Sequence, residues 1–267
     1  HQLAPALARV APVFDRVRKN APGTQLGLVM LDMGKSTPQA LGTALAFCES
    51  SAIPFLSLPD TSGIMAPNQV HDTLAALDLG QKQTRVGIHC HNDMGMASAN
   101  SIMGIAAGAR VLEASVLGIG ERNGIADLFT TARLLADQGF TLNLNLDDLD
   151  TFTDYYAYVD RIILEQLGRN RLTPDVPFFG SAVRTHVAGT HANAGFGVAG
   201  EGGFFLNSLC GKGLVEKFCR CHDIDCPPGL LAPLTRAVKE QSIRLNRSLN
   251  PDQVKKIIVQ LTESGQT

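Results

Sequence analysis

The sequence predicts a parallel α/β architecture that gives way to a helical tail. Three observations carry this expectation. Short continuous apolar runs recur at residues 26–31, 53–58, 85–91 and 110–117, the pattern of parallel strands buried on both faces. A helical stretch follows each run. Between run and helix stands a polar or glycine-rich cluster, on the side where parallel α/β folds, barrels above all, build their active sites.

The elements follow in order. The chain opens with His1 rather than Met and runs directly into a helical pattern over 3–18, which reads as a fragment or a processed chain. After the first strand, Ser36 or Thr37 caps a helix with Pro38 at its first position, followed by Leu41, Ala44, Leu45 and Cys48. The second strand ends in Pro59-Asp60-Thr61-Ser62-Gly63, before a helix over 67–77. A small-residue helix over 96–107 follows the third. The fourth ends in Gly118-Ile119-Gly120-Glu121-Arg122-Asn123-Gly124, before a helix over 125–138.

Beyond Gly139 the repeat fades into helices over 149–167, 211–222, 230–245 and 251–261, with a loop at 173–179 and a Gly-, Ala- and His-rich segment at 180–203. A barrel of about 250 residues has about eight strand–helix units, and four are clear here. The expected fold is thus a partial TIM (β/α)8 barrel followed by a small helical subdomain. Residues 1–140 would hold the barrel's later strand–helix units and 141–180 its end with a connecting helix. Residues 181–267 would form the helical subdomain with a Gly/His-rich lid segment.

With 267 residues, 45% hydrophobic and 18% charged, and a formal net charge of -2, the chain has the make-up of a soluble globular protein. No basic run stands out, so neither nucleic acid nor a membrane surface is an expected partner. No stretch is long and apolar enough to span a bilayer, and the N-terminus shows no signal-peptide pattern. Six cysteines in apolar or helical contexts suit reduced thiols in a cytoplasmic protein. Cys219, Cys221, His222 and Cys226 lack the paired Cys-x-x-Cys spacing of common zinc sites and read as thiols at a helix end.

The chemistry centres on Ile88-His89-Cys90-His91-Asn92-Asp93. On a strand, side chains alternate, so His89 and His91 share one face while Val86, Ile88 and Cys90 share the other. Two neutral imidazoles on one face either grip a divalent cation, leaving positions for a carboxylate and a substrate, or are separately satisfied or solvated.

Four segments together resemble the metal-dependent acyl-CoA aldolase family of homocitrate synthase, isopropylmalate synthase and hydroxymethylglutaryl-CoA lyase. They are Leu58-Pro59-Asp60-Thr61-Ser62-Gly63, His89-Cys90-His91-Asn92-Asp93-Met94-Gly95, Gly118-Ile119-Gly120-Glu121-Arg122-Asn123-Gly124-Ile125 and Thr185-His186-Val187-Ala188-Gly189-Thr190-His191. The resemblance covers about residues 26–195. Glu121-Arg122-Asn123-Gly124-Ile125 is similar to the homocitrate synthase branch, where isopropylmalate synthases usually carry Ala-Gly-Asn. The lyases carry a loop cysteine, and none lies between Cys90 and Cys210.

Two departures follow. The family's first strand, with an arginine and a metal-ligating aspartate, has no counterpart before Leu26, where only one helix precedes. Leu31 stands where the family often has a carboxylate, and Asp32, one residue on, faces the other way in strict register.

The resemblance implies an acyltransferase of amino-acid biosynthesis that joins acetyl-CoA to a 2-oxo acid by Claisen condensation. His89 and His91 would hold Mg, Mn or Zn. Thr61 would donate to the substrate carboxylate, or else it belongs to a turn that caps the next helix. Glu121 and Arg122 would act in the site with Asn123 beside them, or form a local ion pair. His191 would be the general acid/base, reaching a partner's site in a homodimer, with His186 supporting it or merely binding water. The glycines over 195–203 would close over substrate or serve as a linker. Four alternatives stay open: a phosphonomethylmalate-forming relative, a non-catalytic fragment, one subunit of a split enzyme whose companion chain carries the missing strands, and an aldol-cleaving lyase.

Overall fold

The computed structural model describes residues 3–181 and 206–263. They belong to two compact units, residues 1–171 and 172–267.

The first unit runs α1 (Leu3–Asn20), β1 (Gly27–Val29), α2 (Pro38–Ser50), β2 (Phe55–Asp60), α3 (Pro67–Ala75), β3 (Arg85–Cys90), α4 (Ala97–Ala106), β4 (Val111–Glu113), α5 (Leu128–Asp137) and α6 (Leu149–Leu167). The strands form one parallel sheet in the order β1-β2-β3-β4. Sequential parallel neighbours joined by helices are the expected product of repeated strand–helix units.

The register separates two faces. Leu56 pairs with Val86, Leu58 with Ile88 and Asp60 with Cys90. All six are buried, and the five apolar ones join Leu41, Leu45, Cys48, Val70 and Leu74 in one core. Burial of that face is the main drive for the fold. Gly104 lets α4 lie directly on β3, because a Cβ there would stand 2.8 Å from Ile88 Cγ1.

The other face carries Phe55, Ser57, Gly87, His89 and Glu113. The Phe55 ring covers Gly87, where a Cβ would lie 2.7 Å from a ring carbon. Strand alternation has put the apolar residues toward the helices and the chemistry-bearing ones opposite.

Caps set the helix starts. The Thr37 hydroxyl accepts the Ala40 N–H at 3.2 Å with Pro38 next to it. Asp127 accepts the Thr130 N–H at 2.9 Å at the start of α5. The fourth strand is shorter than the apolar run 110–117 suggests. Leu117 adopts a left-handed φ of 57°, and Ser115 pairs instead with the 126–128 backbone, donating its N–H to Ala126 O and accepting from Leu128 N–H. The chain after β4 therefore turns back across its own loop.

The second unit holds α7 (Lys212–Cys221), α8 (Leu231–Leu245) and α9 (Pro251–Glu263) around Leu214, Phe218, Leu234, Val238, Val254 and Ile257. All six cysteines of the chain are free thiols. Burial pushes the Cys219 thiol up to about 12. Among the described residues no helix is long and apolar enough to cross a membrane.

Candidate active site

The loops after the C-terminal ends of β2, β3 and β4 converge. Asp60, wholly buried at the end of β2, shapes the first of them: its carboxylate accepts the Gly63 and Met65 N–H groups, each at 3.1 Å. The chain then turns at Gly63, whose φ is +64° and whose missing Cβ makes room for the Asp93 carboxylate. Thr61 Oγ accepts the Asp32 N–H at 2.9 Å, so the hydroxyl proton is left to donate. Asp32 has a left-handed φ of 61° and accepts from the Ser62 hydroxyl at 2.7 Å and from Lys35 at 2.8 Å. Those two partners, Lys35 first, hold its carboxyl below the usual carboxylate range. Asp32 ties the loop after β1 to the loop after β2.

His89 and His91 lie side by side, with ring centroids 5.2 Å apart and planes inclined by 49°. His89 Nδ1 meets Glu113 Oε2 at 3.2 Å, and the Ser57 hydroxyl donates to Glu113 Oε1. The hydrogen bond from His89, opposed by partial burial and helped by Ser57, keeps Glu113 below the usual carboxylate range. A carboxylate only accepts, so Nδ1 of His89 carries the hydrogen. His91 Nδ1 is buried with no hydrogen-bond partner among the described residues. Burial first, then the positive Arg122 and the neighbouring His89, pushes the His91 imidazole below its ordinary range. It is therefore neutral near pH 7, as a metal ligand must be.

These features fit a divalent cation: two adjacent imidazoles, one oriented by a carboxylate and one with a buried nitrogen left over. Among the described residues no third His, Cys, Asp or Glu joins them in a metal-holding group.

Arg122 clamps the loops together. Its Nε and a terminal nitrogen each donate to the Asp93 carboxylate at 2.9 Å, and it also donates to the Thr61 carbonyl at 2.6 Å. Arg122 holds the Asp93 carboxyl below the usual range. Glu121, in contrast, is 82% exposed in its side chain and only 3.8 Å from the guanidinium, so the neighbour in sequence is the lesser partner. Asn123 is exposed in the same loop. The Asn92 N–H donates to Gly124 O at 2.9 Å, while its side chain caps α4 by accepting the Ala97 N–H at 3.1 Å.

His186 and His191, together with the 195–203 glycines, lie outside the described residues. Sequence reasoning named His89, His91, Thr61, Glu121, Arg122 and Asn123, and all six fall at this one end of the sheet. It gave no role to Glu113, nor to Asp93, which stands in the third-strand motif. An acidic residue on the inward alternation of Val111-Leu112-Glu113 was the available signal for the first.

Glycines shape the loop after β4. Gly124 has φ +88°, and a Cβ there would collide with the Gly118 carbonyl oxygen. Gly139 has the same φ with nothing within 4 Å of its missing Cβ. Alanine at either position bears the left-handed cost of about 1–2 kcal/mol. Gly124→Ala is expected to lower the melting temperature clearly more than Gly139→Ala, because it alone adds a backbone collision. Equal shifts in a thermal melt would contradict this close approach.

The HMGL-like family model matches residues 5–155. The chain is 31% identical over 167 residues to a probable 2-isopropylmalate synthase of Methanosarcina acetivorans, covering 61% of this chain and 30% of that protein. It is 29% identical over 193 residues to a homocitrate synthase of Pyrococcus horikoshii, covering 72% and 50%. With a 2-phosphonomethylmalate synthase of Streptomyces rubellomurinus it shares 31% over 214 residues, covering 76% and 55%. The crystal structure of hydroxymethylglutaryl-CoA lyase from Pseudomonas aeruginosa has the same fold, with a TM-score of 0.50 at 18% identity, covering 63% of this chain and 57% of that one.

The fold defines an α/β protein built as part of a TIM barrel, with the candidate site residues at the strands' C-terminal ends. The chain belongs to the HMGL-like family. It spans 30%, 50% and 55% of the three relatives' own lengths.

Proposed function

We propose that this chain carries the cation-binding end of an enzyme that condenses acetyl-CoA with a 2-oxo acid, in the manner of homocitrate synthase. The observation behind it is the His89–His91 pair at the C-terminal end of parallel strands, one ring braced by Glu113 and the other with a buried, unpartnered nitrogen among the described residues. His89 and His91 would hold Mg, Mn or Zn, with a further carboxylate ligand from outside the described residues or from a companion chain. A cation bound there would supply Lewis acidity to a 2-oxo acid.

The chain's own residues do the rest. Thr61 turns its hydroxyl proton toward the substrate carboxylate, since its oxygen is already engaged by the Asp32 amide. Arg122 fixes the three loops by holding Asp93 and the Thr61 carbonyl. Glu121 and Asn123, exposed beside it in the same loop, would meet the substrate. His191, supported by His186, moves the proton as general acid/base, entering a partner's site in a homodimer. In the overall change the acetyl methyl carbon gives up a proton and bonds the ketone carbon. Water then cleaves the thioester and releases CoA.

The acceptor is 2-oxoglutarate in this reading, supported by the likeness to the homocitrate synthase of Pyrococcus horikoshii. Phosphonopyruvate is the second choice, supported by the 76% of this chain that matches the 2-phosphonomethylmalate synthase. The free thiols suit a cytoplasmic setting.

The test is CoA-thiol release by the full-length protein, given acetyl-CoA with each acceptor, with and without EDTA and re-added cation. Release that needs both acceptor and cation is expected. Cleavage of hydroxymethylglutaryl-CoA instead would mark a lyase. No turnover with either acceptor, alone or with a companion chain, would leave a non-catalytic protein.

A further inference from the structure

We propose that Glu113 is a positioning residue that locks His89 into one tautomer and aims its Nε2 at the cation, with Ser57 and Gly87 holding the carboxylate in place. The inference rests on the cation reading above and adds to it a residue outside the sequence motifs.

The register makes the arrangement possible. Glu113 on β4 lies directly opposite His89 on β3, so the carboxylate and the imidazole rise from the same face. Ser57 on β2 lies opposite Gly87, two residues before His89. To meet both, the Glu113 side chain must reach back across β3 from β4 to β2, and it does so over Gly87. A Cβ at Gly87 would lie 3.1 Å from Glu113 Oε1 and 2.7 Å from the Phe55 ring. The absence of a side chain there leaves the room in which the carboxylate reaches the Ser57 hydroxyl.

Each carboxylate oxygen then has a different duty. Oε1 accepts from Ser57, and Oε2 faces His89 Nδ1 at 3.2 Å. With one oxygen anchored, the other is held where it selects the Nδ1–H form of the ring. A histidine free in water carries its hydrogen on either nitrogen. This one is left with Nε2 as its only ligating atom, pointing away from the carboxylate. Such outer partners of ligating histidines are worth about 10–100-fold in metal affinity.

The test uses full-length protein and two readouts. Imidazole ¹⁵N resonances of the cation-free protein report the His89 tautomer. Co²⁺ titration followed by visible absorption reports ligation. In the wild type His89 should carry its hydrogen on Nδ1. Glu113→Ala should release it to a mixture and weaken Co²⁺ binding about 10–100-fold. Glu113→Gln, whose amide oxygen can still accept, should recover part of both. Unchanged tautomer and affinity in Glu113→Ala would overturn the proposal, as would an Nε2–H ring in the wild type. A wild type that keeps the Nδ1–H form but binds no Co²⁺ would instead defeat the cation reading, and the pairing would reduce to a hydrogen bond with no ligand to aim at.

Discussion

His91→Ala is expected to abolish stoichiometric Co²⁺ binding and to cut cation-dependent CoA release by about 10³-fold or more, because Lewis-acid stabilisation is worth several kcal/mol. It is also expected to leave the melting temperature unchanged or raise it. A histidine kept for structure has its ring nitrogens hydrogen-bonded, and removing it weakens the fold. His91 Nδ1 is buried with no partner among the described residues, a state that costs about 1–3 kcal/mol. Truncation removes that penalty along with the ligand. Stability retained with binding lost is therefore the signature of a ligand. Loss of both would point to a structural role. Cation-dependent turnover within about tenfold of wild type would remove His91 from the ligand set.

Where the physics is local, the sequence was a sufficient guide. The two-residue period of β3 places His89 and His91 opposite Ile88 and Cys90, and the structure has both histidines part-exposed with Ile88 and Cys90 buried. The Thr37–Pro38 start of α2 is equally local. The missed features depend on register or on distant partners. Glu113 acquires its meaning only when β4 is set against β3 with Glu113 beside His89. The run 110–117 reads as one strand because its residues are apolar, yet Leu117 turns left-handed and Ser115 bonds to the 126–128 backbone. Nothing in the run itself announces that tertiary partner. In the same way, nearness in sequence joins Arg122 to Glu121, while the folded loop delivers it to Asp93, 29 positions away.

That delivery makes Arg122→Ala the second large effect expected, a fall in turnover of about 10²-fold, the order that loss of precise positioning produces. Arg122 itself sits at a left-handed φ of 57°, between Gly118 and Gly124, both also at positive φ. The loop is thus bent so that one planar guanidinium reaches Asp93 with two bonds and the Thr61 carbonyl with a third. Lysine keeps the charge but not the fork, so Arg122→Lys should recover little. Asp93→Asn should act in the same direction, since it removes the charge that pairs with the fork. The Asp93 carboxyl is held below its usual range, so the clamp is intact above the ordinary carboxylate pKa and fails only as pH falls through that lowered value. The effect at neutral pH should fall on turnover and on the KM for the 2-oxo acid, with little change in melting temperature, because the pair is partly exposed. If Arg122→Ala and Arg122→Lys both keep near wild-type kinetics, the loops are held by their own backbone bonds. Arg122 would then be a surface residue that meets Asp93 without consequence for the site.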